Sequence, residues 1–308
     1  MRKAPLLAIA GSLGLALAFG PLCLLVAPFL FGMGHLSSTT RVLARLWGPT
    51  SAQNEIKALF IMSFLALCLI RLSPWRAAFY PGGILVPELF LLLVCFAWGL
   101  RSQTSRFAPY FLIPAAVGFG FYFSAVITVA ALVFLHNLLA FVYWYRLSLS
   151  AVDKRSALIG GLSLLALSAL IALGGLDKLM WSVPFEGLNT LIDRSGSAPV
   201  NWAKSTLPFV IDSLVIYRWL VIAAFGQLAH YFVWLYEIPK IPAERAPAGA
   251  INLATKTLML GGGAAVVGLA LFDPGLARIV YIAIAAGHGF VELGSLPLLA
   301  PSKATLNG

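Results

Sequence analysis

Charge is what this sequence has least of. Only 10% of its 308 residues are Asp, Glu, Lys or Arg, against about 25% in an average soluble domain. So few charges cannot cover a water-facing surface. Acidic groups are the scarcest, 11 against 21 basic ones. The basic excess is scattered singly between apolar runs and never gathered into a stripe, which excludes a nucleic-acid-binding face and suits residues placed beside lipid headgroups. Cysteine is nearly missing too. Cys23, Cys68 and Cys95 each sit inside an apolar run, so they read as small buried hydrophobes and exclude a disulfide framework or a thiolate metal site. The short HxxxH and HExxH metal motifs are absent, as are a long repeat, a low-complexity tract and a soluble domain.

Apolar residues fill the space left. They make up 60% of the chain, with a mean hydropathy of +0.93. Runs long enough to cross a hydrocarbon core of roughly 30 Å recur from end to end. They are continuous and not alternating, which predicts helices and not a barrel. The expected fold is an all-α polytopic transmembrane helix bundle of eight or nine spans, a single domain over 1–308, placed in a bacterial inner (cytoplasmic) membrane. The spans fall near 4–34, 56–72, 82–100, 107–120, 121–147, 156–175, 206–236, 250–272 and 275–299. The polar stretch 177–205 is the one sizeable extramembrane or interfacial loop, and LMWSVPFEGLNTLI within it has an amphipathic cast.

Three details refine that map. The N-terminus, led by Arg2 and Lys3, has the look of a signal peptide, but its apolar run continues through PLCLLVAPFLFG, so it is expected to be a first span bent at Pro21 and Pro28. The apolar stretch 107–147 would be about 60 Å long as one helix, twice the core thickness, so a hairpin is expected near Gly118–Gly120. With nine spans, twelve basic residues lie on one side and eight on the other, which sets the richer side in the cytoplasm and the N-terminus outside.

The chain has only four histidines, His35, His136, His230 and His288, and each lies in or at the end of an apolar span. In the nine-span map they belong to spans one, five, seven and nine, which run in one direction, and each lies at the middle of its span or beyond. All four are therefore expected at one depth. A neutral imidazole in lipid needs partners for both ring nitrogens or costs several kcal/mol. Four at one depth can satisfy one another by sharing a metal, since imidazole suits Fe, Cu, Zn and Ni and helices of a bundle can each contribute an inward ligand. Glu292, four residues after His288, shares its helix face and is expected to orient it or to act as an extra ligand. Glu237, seven after His230, is a second such carboxylate nearer the interface. Among other charges inside the spans (Glu88, Asp212 and Arg218), Asp212 and Arg218 are six apart and poorly placed for each other, so cross-helix structural pairing is expected. LMLGGGAAVVG, 258–268, is read as a close-packing surface.

An all-histidine donor set suits non-haem iron that meets O2, and within a bilayer its substrate would be an apolar lipid. Phe134, Phe141, Tyr143, Trp144, Phe232, Trp234 and Phe290 surround the histidines. They could line a pocket for a polyene or isoprenoid chain, though at least half are expected to be ordinary packing or interfacial belt. GMGHLSS, around His35, and AGHGFVEL, with His288, Gly289 and Glu292, resemble the Gly–Pro–His–Gly…Asp signature of the bacterial Brp/Blh-type β-carotene 15,15′-dioxygenases, although neither histidine follows a proline. The resemblance covers isolated residues. It implies a multi-pass protein with iron held by histidines of several spans and a carotenoid or isoprenoid oxygenase activity. The function expected is thus a metal-dependent membrane oxygenase, with His35, His136, His230 and His288 as ligands of Fe(II), Glu292 as the catalytic carboxylate, and a lipid and O2 as partners. A haem-binding or haem-processing protein, with haem as the cofactor, and a transporter or channel are the competing expectations. A scaffold protein would predict that the four histidines do not meet.

Overall fold

A computed structural model describes residues 3–46, 112–123, 125–180, 213–241 and 253–299, with a few isolated positions among 62–70 and 90–93. Among them every regular element is a helix. The principal helices are α1 (Lys3–Ala27), α2 (Met33–Leu46), α3 (Leu112–Phe123), α4 (Ala125–Leu147), α5 (Ala151–Ala172), α6 (Ser213–Phe232), α7 (Leu253–Phe272) and α8 (Pro274–Ser295). Two of the helical runs, Ala151–Ala172 and Leu214–Lys240, are long and apolar enough to cross a membrane, and Pro5–Gly20 is a shorter apolar helix. Spans expected at 56–72 and 82–100 lie almost wholly outside the described residues, as do Glu88, Cys95, Asp212 and the 181–205 part of the polar loop.

The first helical run departs from expectation in its length. α1 is kinked at Gly20 (φ 0°, ψ −87°), immediately before Pro21, as proline's restriction of its predecessor requires. Pro28 opens a π-helical turn, Pro28–Gly32; it has no N–H to donate to the turn before it, a known cause of such local irregularity. The chain then continues through α2 to Leu46 instead of ending at 34. His35 therefore stands within a helical run and not at its end.

The hairpin position is also corrected. Gly118 and Gly120 both lie inside α3. α3 and α4 instead approach each other beyond those glycines: a Cβ on Gly120 would lie 2.7 Å from the Thr128 hydroxyl, whereas eight residues of straight helix span about 12 Å. Glycine suits position 120 because α4 comes this close to it.

α1, α4, α5 and α6 share the main core, built from Ile9, Ala16, Leu17, Leu139, Phe141, Tyr143, Trp144, Ala157, Leu164, Val221, Phe225 and Trp234. Small residues set the approach: a Cβ on Gly160 would lie 2.8 Å from the Phe141 ring and 3.1 Å from Ile9. α2, α7 and α8 meet in a second cluster of Leu36, Val266 and Tyr281, with Met33 and Val280 against it. The glycine run of α7 serves that contact, since a Cβ on Gly263 would lie 3.2 Å from the Met33 side chain. Close packing is thus its role, as its small residues suggest. Large apolar side chains also face outward, among them Leu271 (81% exposed) and Phe272 (90%).

Local signals fix where the key helices start. Asp273 caps α8, accepting a hydrogen bond from the Leu276 amide at 2.9 Å, with Pro274 in the first turn. Ser150 caps α5 through the Asp153 amide at 3.0 Å. Just past the end of α5, Gly174 adopts φ +82°, the left-handed conformation glycine takes after helix C-termini. Just beyond it, Asp177 forms a two-pronged ion pair with Arg218 of α6, with the Arg218 Nε donating to Oδ1 at 2.9 Å and Nη2 to Oδ2. Arg218 thus finds its partner across helices.

Candidate metal centre

Four helices converge on one point. α2 supplies His35, α4 supplies His136, α6 supplies His230, and α8 supplies both His288 and Glu292. One donor atom from each of these five residues lies within 4.8 Å of all the others. Metal–imidazole bonds are about 2.0–2.1 Å, so opposite donors around an ion stand about 4.2 Å apart. The five donors fit a metal with a contraction of a few tenths of an ångström. The residues selected from the sequence are the ones brought together, and a scaffold in which the histidines point apart is excluded by this geometry.

The details give each ring a role. His35 and His230 face each other through their Nε2 atoms at 3.1 Å. His136 Nδ1 lies 3.2 Å from Glu292 Oε2, and His35 Nε2 lies 3.9 Å from Oε1. The ring centres of His35 stand 4.5, 4.9 and 6.3 Å from those of His230, His288 and His136. Those of His136 stand 4.4 and 4.6 Å from His230 and His288. His35 and Glu292 are fully buried, while His136 keeps 17% of its side chain exposed. A carboxylate buried this completely is costly unless it is compensated, and a divalent ion held among the five donors would compensate it.

Residues outside the donor set position it. The Thr39 hydroxyl, one turn after His35, donates to Glu292 Oε1 at 3.0 Å and stands 3.4 Å from His35 Nδ1. With its proton committed to the carboxylate, Thr39 accepts from His35 Nδ1–H. That tautomer leaves the Nε2 lone pair facing the other donors, the arrangement outer partners impose on ligating histidines. Tyr143, seven residues after His136, donates its hydroxyl to the Glu292 carbonyl at 2.8 Å. Gly289 permits the approach of α4, since a Cβ there would lie 3.1 Å from His136 Nδ1. Thr39 was not among the residues expected at the site, and Tyr143 was expected only as one of the aromatics around the histidines, not as a hydrogen-bond partner of Glu292. Both were findable by helical spacing from a histidine, at i+4 and i+7.

Other expectations are adjusted. Glu292 shares the face of His288, but its carboxylate also reaches His136 and His35 across helices. Spacing along one helix cannot show that. Glu237 is buried but serves elsewhere, accepting from Lys240 Nζ at 3.1 Å, while Lys240 covers the Tyr236 ring. Of the aromatic residues, Phe141, Tyr143, Trp144 and Trp234 belong to the buried core, and Trp234 also packs against His35 and His230. No family model matches the sequence, and no curated protein or solved structure is found to be similar to it.

Proposed function

We propose that this chain is a polytopic membrane protein of eight or nine spans. In this reading it holds Fe(II) between His35, His136, His230, His288 and Glu292 and oxidises a membrane-dissolved lipid, such as a carotenoid or isoprenoid, with O2. The observation that carries the reading is the convergence of five donors from four helices inside an apolar bundle. Four neutral imidazoles and one carboxylate suit a first-row divalent ion. Bound iron would supply the redox chemistry with O2. The chain's own part is to hold the ion, balance its charge with Glu292, fix that carboxylate through Thr39 and keep water away with Trp234 and the surrounding core. Apolar substrate class is supported by the outward-facing leucines and phenylalanines, and the choice of a polyene or isoprenoid by the resemblance around His35 and His288. A bacterial inner membrane is the location that fits the charge pattern.

Haem is disfavoured by a specific distance. A bis-histidine haem needs a flat macrocycle between two imidazoles, whereas His35 and His230 stand nitrogen to nitrogen at 3.1 Å with His136 and His288 rings packed beside them.

Protein reconstituted in lipid, loaded with Fe(II) and supplied with β-carotene or a polyisoprenoid, is expected to consume O2 while the lipid is converted, and His230→Ala is expected to do neither. Iron-loaded protein that consumes no O2 and leaves every such lipid intact would overturn the oxidative reading.

A further inference from the structure

We infer that Glu292 is itself a ligand, and that the site is built for a six-coordinate ion with His35 and His136 at opposite corners and one corner taken by a small exogenous molecule. This rests on the proposed metal site and adds its coordination geometry, which decides what else can bind there.

Two atoms carry the first part. His136 Nδ1 and Glu292 Oε2 are 3.2 Å apart, yet both are buried and neither is in a hydrogen bond. An outer carboxylate that orients a histidine would take the ring N–H in line. A lone pair beside a carboxylate oxygen is instead the arrangement of two neighbouring ligands of one cation. The other oxygen, Oε1, is the one held by Thr39, which leaves Oε2 for the ion.

The spacing carries the second part. For bonds of about 2.1 Å, neighbouring donors lie about 3.0 Å apart on an octahedron and about 3.4 Å apart on a tetrahedron. The pairs His35–His230 and His136–Glu292 measure 3.1 and 3.2 Å. Ring centres separate the two shapes further. They should lie about 4.6 Å apart for neighbouring corners and about 6.5 Å for opposite ones, whereas a tetrahedron gives about 5.3 Å for every pair. Four pairs measure 4.4, 4.5, 4.6 and 4.9 Å, and His35–His136 measures 6.3 Å. One long distance among short ones is the octahedral pattern. With five donors among the described residues, the remaining corner falls to a small molecule of the size of O2, nitric oxide or azide. Such a site disfavours Zn(II), which prefers closed four-coordination.

The test uses full-length protein stripped of metal and titrated with Co(II), whose visible bands are weak when six-coordinate and intense when tetrahedral. Weak bands that shift when azide is added, and change again in Glu292→Gln, are the expected result. Intense tetrahedral bands, bands indifferent to azide, or a Glu292→Gln spectrum identical to wild type at full cobalt occupancy would each overturn the inference while leaving the metal site itself standing. Failure to bind cobalt, iron or any other divalent ion would overturn the metal site and the inference with it. Thr39→Val, which keeps every donor, controls for folding. It is expected to bind cobalt about 10–100-fold more weakly with six-coordinate bands, and tetrahedral bands in this variant would count against the assigned geometry.

Discussion

At the scale of single residues, the centre depends on groups whose importance only packing reveals. Gly289 is the sharpest case. Its α-carbon faces the His136 ring, and a methyl group there would lie 3.1 Å from Nδ1, closer than the ring can accept without shifting. Gly289→Ala is therefore expected to push His136 away from Glu292 and to weaken metal binding by roughly 10–100-fold, the usual cost of disturbing a ligand's support. Equilibrium dialysis with Fe(II) measures it, and unchanged affinity would show that the ring has room to move. Removal of the Tyr143 hydroxyl is expected to be milder, because it holds the Glu292 backbone and not its carboxylate. Tyr143→Phe should lose about 1 kcal/mol of stability and keep full metal stoichiometry, as calorimetry and metal analysis of one sample can establish.

The residue scale is also where the sequence was most legible. Four histidines in a chain with so few polar groups inside its apolar runs marked the candidate ligands, and the structure brings them together; the nine-span parity from which one common depth was expected belongs to the proposal. Glu292 was visible as the neighbour of His288, but its approach to His136 and His35 was not. That approach depends on how α8 lies against α4 and α2, and no spacing within one helix encodes it. Thr39 stood in a run of four hydroxyl residues, Ser37, Ser38, Thr39 and Thr40, which reads as a headgroup-facing stretch. The helix continues past 34, and that extension turns Thr39 inward.

At the scale of elements, helix ends and crossings explain the remaining departures. Glycines near 118–120 suggested a turn, yet α3 runs through both; a neighbour approaches closely at Gly120, where glycine suits the contact, whereas Gly118 is uncrowded. The kink near Pro21 was legible because proline's effect on its predecessor is local. Arg218 illustrates the opposite case, since its partner Asp177 is 41 residues away, just past the end of α5. Arg218 holds the Asp177 carboxyl below its ordinary range, chiefly by hydrogen bonding. A depressed carboxyl stabilises the fold fully above its unfolded pKa, near 3.9, and the contribution disappears as pH falls through the lower, folded value. Thermal unfolding of the wild type should therefore weaken in that acidic window more than unfolding of Asp177→Asn does. Identical pH profiles for the two proteins would remove the pair from the account.

At the scale of the whole molecule, the described helices form an apolar bundle whose outer surface carries leucine and phenylalanine and whose interior brings all four histidines and Glu292 to one place. The all-helical architecture was plain from continuous apolar runs. The two helices that are long and apolar enough to cross a bilayer agree with the membrane reading, and the full span count belongs to the proposal. A metal that binds only the folded state adds stability by mass action, about 2.7 kcal/mol at a hundredfold excess over its dissociation constant. Fe(II) at such an excess should raise the melting temperature of detergent-solubilised protein and have no effect on His35→Ala.

The most direct test of the central claim is the metal content of untagged protein that has never met a chelator, measured beside its absorption spectrum for wild type and for His230→Ala. The account predicts one bound iron per chain in the wild type, its loss in His230→Ala, and no Soret band in either. A well-folded wild type that carries no metal and takes up none when it is offered would contradict it.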